Sequence, residues 1–170
     1  MNLSFPAIAD KSDVFKKVTD YISSSMRISN SDSERPWGGF LVINEEDTEI
    51  FIQKFFPHLT KTELGISGKL SPKILIVAPE KRLSWQYHHR RAEIWKVIGG
   101  IAAVVTSDSD EESSPKKLSA GDIVELKQGE RHRLVGTDQW GILAEIWRHT
   151  DASNPSNEDD IVRVQDDFGR

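Results

Sequence analysis

Residues 83–95 hold the densest group of side chains in the chain that could do chemistry. Two imidazoles, an amide, a carboxylate and two guanidiniums lie within this short segment. Polar groups at this density are unsuited to a core, so the segment predicts a functional site. If residues 85–88 form a strand, Gln86 and His88 point to the same face, because side chains alternate along a strand. These two side chains could then share one ion.

Two further ligands complete the predicted set. Glu93 begins an apolar alternation of its own, and a hairpin would turn its carboxylate back toward Gln86 and His88. The best candidate for the fourth ligand is His132, which follows the turn at Gly129. This mixed nitrogen and oxygen set suits Zn, Mn, Co, Ni or Fe(II). The chain has no cysteine, which excludes disulfides and thiolate metal sites.

The N-terminal region predicts one amphipathic helix. Apolar residues recur at spacings of three and four within residues 12–26, with Ser12 as a plausible N-cap. The serine-rich residues that follow are interpreted as a linker. We therefore divide the chain into a helix and linker over residues 1–33 and one domain over residues 34–170.

The second region predicts short strands separated by turns. Residues 37–43 and 49–56 are interpreted as a hairpin, 58–70 as a loop and 71–77 as a strand buried on both faces. The acidic residues 107–117 are expected to be a disordered loop. About nine or ten strands and a single helix predict an all-β barrel or sandwich. Further strands are expected at residues 101–106, 123–126, 132–135 and 142–147, the last two separated by a turn.

Composition narrows the class of protein. With 37% hydrophobic and 29% charged residues in 170, the chain predicts one globular domain. No apolar run approaches the roughly 20 residues of a membrane helix, and no secretory signal is evident. These features and the lack of cysteine predict a cytoplasmic protein. The net charge of -5 argues against nucleic acid as a partner.

The same residues carry a resemblance to a known family. A motif with His and a spaced Glu, followed later by Gly-x-x-His, resembles the two halves of a cupin barrel. More narrowly, residues 86–95 (Gln-Tyr-His-His-Arg-Arg-Ala-Glu-Ile-Trp) are similar to a segment of phosphomannose isomerases and of the isomerase domain of mannose-1-phosphate guanylyltransferases. Residues 35–39 (Arg-Pro-Trp-Gly-Gly) and 159–170 resemble the family's opening and closing segments. The likeness thus runs from about residue 34 to the last residue.

The resemblance implies a fold and an activity. The expected fold is an all-β cupin, a jelly-roll-like β-barrel, here with a short N-terminal helix. The family's metal ligands fall on Gln86, His88, Glu93 and His132. The implied function is a metal-dependent isomerase that interconverts mannose 6-phosphate and fructose 6-phosphate or a close sugar phosphate. One divalent ion is expected, Zn first, with Mn, Co, Ni or Fe as alternatives.

The resemblance also implies roles for residues outside the metal set. Ser84 takes the family's phosphate-proximal position, Arg82 would assist there, and Arg170 would face the pocket. Guanidinium groups suit phosphate because they bind its oxygens in bidentate fashion. Glu145 is expected to carry the proton between C1 and C2. The three positions expected to be catalytic are Arg91, Glu145 and Arg163.

Two departures from the family leave other functions open. Arg90 and Ile94 stand where family members commonly have histidine. One alternative is a non-catalytic, metal-bearing cupin that binds a sugar, and another is an Fe(II) oxygenase. The expected partner is a small-molecule sugar phosphate, and pairing of two copies into a homodimer is a further expectation.

Overall fold

The structure is a computed structural model that describes residues 2–65 and 68–170. In these residues nine strands form one antiparallel sheet, and the helices lie mostly N-terminal to the central strands. The helices are α1 (Lys11–Ser23), α2 (Thr48–Phe55) and α3 (Lys61–Leu64). The strands are β1 (Ile28–Asp32), β2 (Gly38–Ile43), β3 (Lys73–Val77), β4 (Trp85–Tyr87), β5 (Arg91–Ser107), β6 (Lys116–Ser119), β7 (Ile123–Leu126), β8 (Arg131–His149) and β9 (Val162–Gln165).

The two long strands β5 and β8 form the centre of the sheet. They pair along nearly their whole length, and register shifts near Gly99 and Gly100 interrupt the ladder. Such bulges bend and twist a strand pair, so one end of β8 pairs with β3 and the other with β4. The predicted turn over residues 136–141 is wrong. Gly136 instead allows close backbone packing, because a Cβ there would lie 2.0 Å from the carbonyl oxygen of Ala78.

The sheet separates two apolar cores, and β3 contributes to both. Over the described residues, the sheet bends around one of these cores without closing, and the space that it surrounds is called the barrel below. Leu75 and Val77 point into this barrel, whereas Ile74 and Ile76 pack against the helical layer. The expectation that this strand is buried on both faces is confirmed. Because side chains alternate, Lys73 shares the inward face with Leu75 and Val77. A charged side chain at the end of an apolar strand therefore faces the barrel interior.

The amphipathic helix α1 is confirmed, but its N-cap is different. Asp10 is the cap, because its Oδ1 accepts a hydrogen bond from the Ser12 amide at 2.8 Å. Val14, Val18 and Ile22 are fully buried on one face of the helix. The helix therefore covers the outer face of the sheet. In the described residues, no helix is long and apolar enough to cross a membrane.

Three local predictions are wrong. The expected strand at 49–56 is the helix α2, whose Phe51, Ile52 and Phe55 are buried; short apolar runs do not distinguish helix from strand. The expected linker contains strand β1. The expected loop 58–70 contains α3, which begins with a capping box between Thr60 and Glu63. Residues 66 and 67 of that expected loop lie outside the described residues. The chain therefore has more than the single predicted helix.

The acidic residues 107–117 are also not the disordered loop that composition predicts. The indole N–H of Trp85 donates to the carbonyl oxygen of Asp110 at 2.8 Å. The Asp110 carboxylate accepts from Arg131 at 2.7 Å, and Glu112 pairs with the buried Arg133. Arginines from β8 thus neutralise the acidic segment and hold it against the barrel.

Candidate metal centre

Three predicted ligands meet in the barrel interior. His88, Glu93 and His132 each offer one ligand atom, and these atoms lie within 4.8 Å of one another. The His88 Nε2 lies 3.2 Å from Glu93 Oε1, and the His132 Nε2 lies 3.5 Å from Glu93 Oε2. All three residues are at most 2% exposed. The group is therefore compact and shielded from water.

The strand pairing that positions the group differs from the expected hairpin. Strand β4 pairs with β8 and β9 and not with β5, so the hairpin prediction is wrong. Gln86 and His132 are register partners on β4 and β8. Side chains directly opposite each other share a face of the sheet, so both point inward. Glu93 reaches the group from β5, which pairs with the other half of β8.

Backbone carbonyls determine the tautomers of both histidines. The His88 Nδ1 lies 2.6 Å from the carbonyl oxygen of Asp160, and the His132 Nδ1 lies 2.9 Å from that of Glu130. A carbonyl oxygen only accepts, so each Nδ1 carries the proton and each Nε2 presents a lone pair. Burial lowers the pKa of His88, against the opposing effect of Glu93, which favours the neutral imidazole.

The arrangement fits a divalent cation. Both Nε2 lone pairs face oxygens of the Glu93 carboxylate, and electron pairs in this arrangement repel each other unless a positive group lies beside them. The Arg91 Nη2 lies 3.2 Å from the His88 Nε2 and supplies such a group there. The His132 Nε2 is buried and has no hydrogen-bond partner in the part of the chain that the structure describes. Buried polar atoms normally have partners, so this orphaned nitrogen points to a ligand. Two imidazoles and a carboxylate form a donor set that holds first-row divalent metals.

Gln86 adjoins this group. Its Nε2 lies 3.5 Å from the His88 Nε2, and its Oε1 accepts a hydrogen bond from Ser84 Oγ at 2.5 Å. Rotating the amide by half a turn would exchange the two atoms and face the oxygen toward the group. Gln86 as the fourth ligand therefore stays a prediction, and the Ser84 hydroxyl orients this amide.

Arg91 is a fixed cation beside the group. Its Nε donates to Glu93 Oε1 at 2.8 Å, and its Nη1 donates to Ser156 Oγ at 2.9 Å. Its guanidinium carbon lies 3.6 Å from the Trp147 ring centroid. Burial would raise the pKa of the Glu93 carboxyl, but the adjacent cation Arg91 helps to hold it well below its usual value. Glu93 is therefore ionised and ready to bind a metal.

Glu145 is a second buried carboxyl group, and its pKa is shifted in the opposite direction from that of Glu93. Burial and the charge of Glu93 raise the pKa of Glu145 to about 8, although Lys73 and Arg91 oppose the shift. The indole N–H of Trp95 donates to both Glu145 Oε1 and Glu93 Oε2. A group with a pKa near neutrality suits proton transfer.

A cavity opens onto the group, and its walls include most of the predicted site residues. Arg82 does not line these walls, and its Nε and Nη2 donate to Asp167 at 2.6 and 2.9 Å. Its role in substrate binding stays a prediction. Arg170 lines the cavity but is paired with Asp166. The predicted residues on the cavity wall are Ser84, Gln86, Arg91, Glu93, Glu145, Arg163 and Arg170.

The Lys73–Glu158 ion pair and Trp147 are features of this cavity that the sequence did not predict. Lys73 lies in it with a side chain 8% exposed, 4.0 Å from the Trp147 ring centroid, and forms an ion pair with Glu158. The one available signal was a lysine at the start of the apolar run Lys-Ile-Leu-Ile-Val. Trp147 and Glu158 gave no signal, because their partners come from distant parts of the chain.

Solved structures with the same fold support the all-β cupin assignment. Oxalate decarboxylase from Lactobacillus farciminis aligns over 82% of this chain and 34% of that chain, with a TM-score of 0.52 and 16% identity. Procruciferin, an 11S globulin from Brassica napus, aligns over 81% of this chain and 30% of that chain, with a TM-score of 0.53 and 18% identity. At such identities the likeness concerns the fold alone. The expected fold class is confirmed.

Sequence relatives are longer proteins. Mannose-1-phosphate guanylyltransferase of Escherichia coli K12 is 29% identical over 169 residues, which cover 96% of this chain and 29% of that protein. The alginate biosynthesis protein AlgA of Pseudomonas aeruginosa is 29% identical over 124 residues, which cover 73% of this chain and 24% of that protein. The chain thus spans about a quarter of the length of these relatives.

A family model covers most of the chain and the whole candidate centre. The model described as "Mannose-6-phosphate isomerase C-terminal" matches residues 44–166, a range that includes His88, Glu93, His132 and Glu145. Together with the cupin fold and the buried histidine–glutamate group, this match shows that the chain belongs to the family of mannose-6-phosphate isomerase C-terminal domains.

Proposed function

We propose that the chain is a metal-dependent aldose–ketose isomerase that interconverts mannose 6-phosphate and fructose 6-phosphate or a close sugar phosphate. One observation carries the proposal. An ionised carboxylate of metal-ligand type, Glu93, and a carboxyl with a pKa near neutrality, Glu145, are held side by side by Trp95. Isomerisation needs these two functions next to each other.

His88, Glu93 and His132 would hold the ion, with Gln86 as a fourth ligand, and Zn is the first expectation. When bound, the ion would supply a Lewis acid that polarises the substrate carbonyl. A neutral amide, two neutral imidazoles and one carboxylate leave a divalent ion with net positive charge. Burial strengthens that charge because the interior screens it less than water does.

Glu145 is the proposed proton carrier. The reaction removes a proton from one of the two carbons, C1 or C2, and delivers it to the other, which one carboxyl group can do in both directions. A second proton passes between the oxygens on C1 and C2, so that the carbonyl and the hydroxyl exchange places. The ionised form of Glu145 would accept the proton, and a raised pKa makes that form a stronger base. Trp95 limits the rotation of the carboxyl group, and Arg91 keeps Glu93 in place.

The structure leaves different roles for the other expected residues. The Ser84 hydroxyl is 1% exposed and bonded to Gln86, which favours support of the metal centre over contact with phosphate. Arg163 lines the cavity and forms no ion pair with any described residue, so its guanidinium is available to substrate. Arg163 stays a proposed catalytic residue, and Arg170 stays a proposed substrate contact.

A coupled assay for mannose 6-phosphate consumption by the metal-loaded protein tests the proposal. Glu145→Gln should lower kcat by about 10²-fold or more, the usual contribution of a general acid–base group, with metal content unchanged. Glu125→Gln, the same change at an exposed position of β7, is the matched control and should retain full activity.

Two results would contradict the proposal in different ways. Full activity of Glu145→Gln would remove Glu145 as the carrier. A wild-type protein that holds its metal and binds the sugar phosphate without turnover would instead be a non-catalytic sugar-binding cupin.

A further inference from the structure

Lys73 places an ammonium group inside the barrel. Its side chain is 8% exposed, and it is the register partner of Glu145 on the neighbouring strand β8. A buried cation is costly without an anion beside it. Glu145 is engaged by the indole N–H of Trp95. The ammonium group must therefore find its anion elsewhere.

The anion is supplied by a residue from the protein surface. Glu158, in the connection between β8 and β9, forms the ion pair with Lys73, yet its own side chain is 71% exposed. The barrel thus fixes the ammonium group, while the carboxylate reaches in from a loop. An exposed carboxylate can rotate into water at little cost, because exposed ion pairs contribute little stability. Lys73 cannot leave in the same way.

Glu158 also stands where the cavity meets the surface. It lines both the cavity and an adjoining groove, and Arg35 and Arg163 line the same two spaces. Movement of Glu158 would therefore join the groove to the cavity and uncover Lys73 next to Arg163.

We infer that Lys73 anchors the phosphate of a phosphate monoester substrate, and that Glu158 occupies this anion subsite until the phosphate displaces it. The inference rests on the proposed function and adds the position of the substrate's charged end. A phosphate group carries a negative charge of about −2 and has three strong acceptor oxygens, so it is a better partner for the Lys73 ammonium group than one carboxylate.

The position of Lys73 suits a sugar phosphate bound along the cavity. Lys73, Glu145 and Trp95 are register neighbours on three adjacent strands, β3, β8 and β5. Strands lie about 5 Å apart, so Lys73 is roughly 10 Å from the strand that carries Glu93. A phosphate at Lys73 would let an extended sugar chain pass Glu145 and leave its other end toward Glu93 and the metal centre.

Calorimetric binding of mannose 6-phosphate to the full chain, with EDTA present to prevent turnover, tests the inference. Removing the competing carboxylate with Glu158→Gln should tighten binding by about tenfold, whereas Lys73→Met should weaken it by at least about tenfold. Inorganic phosphate should also bind more tightly to Glu158→Gln and more weakly to Lys73→Met, whereas the affinity for neutral mannose should not change in either variant. Asp159→Asn, an equal charge change at the adjacent exposed residue, should have no effect.

The opposite signs distinguish this subsite from a purely structural ion pair. A structural pair predicts that both variants bind no better than the wild type, so unchanged or weaker binding by Glu158→Gln would overturn the inference. Unchanged binding by a folded Lys73→Met would overturn it as well, and Glu158→Gln keeps the test decisive if Lys73→Met does not fold. Opposite shifts in this binding experiment, together with no turnover by the metal-loaded protein in the coupled assay, would refute the isomerase proposal and leave the subsite. Turnover by the metal-loaded protein without these changes in affinity would refute the subsite and leave the isomerase proposal.

Discussion

Glu93 and Glu145 accept hydrogen bonds from one donor, the indole N–H of Trp95, at 3.1 and 3.0 Å. Both carboxyl groups are buried, at 2% and 5% exposure. Two carboxylates this close in the interior repel each other, so one is expected to keep its proton near neutrality. Arg91 favours ionised Glu93, which leaves Glu145 as the protonated partner. Trp95 therefore links the metal centre to the proposed proton carrier.

Replacing Trp95 should reveal this link as a loss of stability. Trp95→Phe removes the shared donor and leaves two buried carboxyl groups without it. We expect the free energy of unfolding to fall by about 1–3 kcal/mol beyond the loss of packing, as measured by urea denaturation.

Trp140 offers a matched control for this change. Its Nε1 is buried and has no hydrogen-bond partner in residues 2–65 and 68–170. Trp140→Phe therefore removes similar ring area without removing a hydrogen bond. Equal losses in both variants would show that the Trp95 hydrogen bonds contribute nothing.

The metal-free protein should become less stable as pH rises toward 8. The pKa of Glu145 is raised from 4.5 to about 8 by burial and Glu93, so the folded state holds a proton that the unfolded state releases. The contribution of Glu145 to the free energy of unfolding is fully present below pH 4.5 and is lost as pH rises through about 8. Burial, with the charges of Lys69 and Arg91, lowers the pKa of His149 from 6.5 to about 4. Stability from His149 therefore rises with pH between about 4 and 6.5 and does not change above pH 6.5.

The interval between pH 6.5 and 8 therefore isolates Glu145. We expect a fall of about 2 kcal/mol in the free energy of unfolding across this interval, measured by urea denaturation with EDTA present. Glu145→Gln should remove the slope. A slope that persists in this variant would assign the titration to another group.

Metal content should depend on the two histidines. We expect the purified protein to hold about one equivalent of divalent metal by elemental analysis, and His88→Ala combined with His132→Ala to lose it, because only the Glu93 carboxylate and the Gln86 amide remain. His58→Ala changes an exposed histidine outside the centre and should keep full occupancy. Full occupancy of the double variant would refute the ligand assignment.

The acidic segment should contribute to stability despite its composition. Glu112→Gln leaves the guanidinium of Arg133, which is 1% exposed, without its carboxylate. We expect a loss of about 1–3 kcal/mol in the free energy of unfolding and faster hydrogen exchange in residues 107–117. Glu111→Gln at the adjacent exposed position is the control. Equal exchange in both variants would show that Arg133 does not hold the segment.

Local patterns in the sequence were enough for part of the fold and part of the site. Alternation alone put Gln86 and His88 on one face, and the spacing of apolar residues gave helix α1. The family's segments identified Glu93 and His132, and these do meet His88 in the barrel. Such features depend on side-chain type and short spacing, which a sequence displays directly.

Other features of the same protein depend on partners that are distant in the chain. Residues 49–56 form a helix because their apolar side chains find a core between α1 and the sheet, and the acidic segment is held because β8 brings arginines to it. Neither environment can be inferred from the local residues.

The sequence by itself determined the cupin class and the residue types of the candidate metal group, and it suggested the sugar-phosphate chemistry that stays a proposal. Tertiary structure decided that β4 pairs with β8 and β9, that carbonyls hold both Nε2 lone pairs toward Glu93, and that Lys73 and Glu145 share the cavity. The reason is physical: tautomers, raised pKa values and buried ion pairs arise from burial and from neighbours far apart in the chain, and spacing along the chain does not encode them.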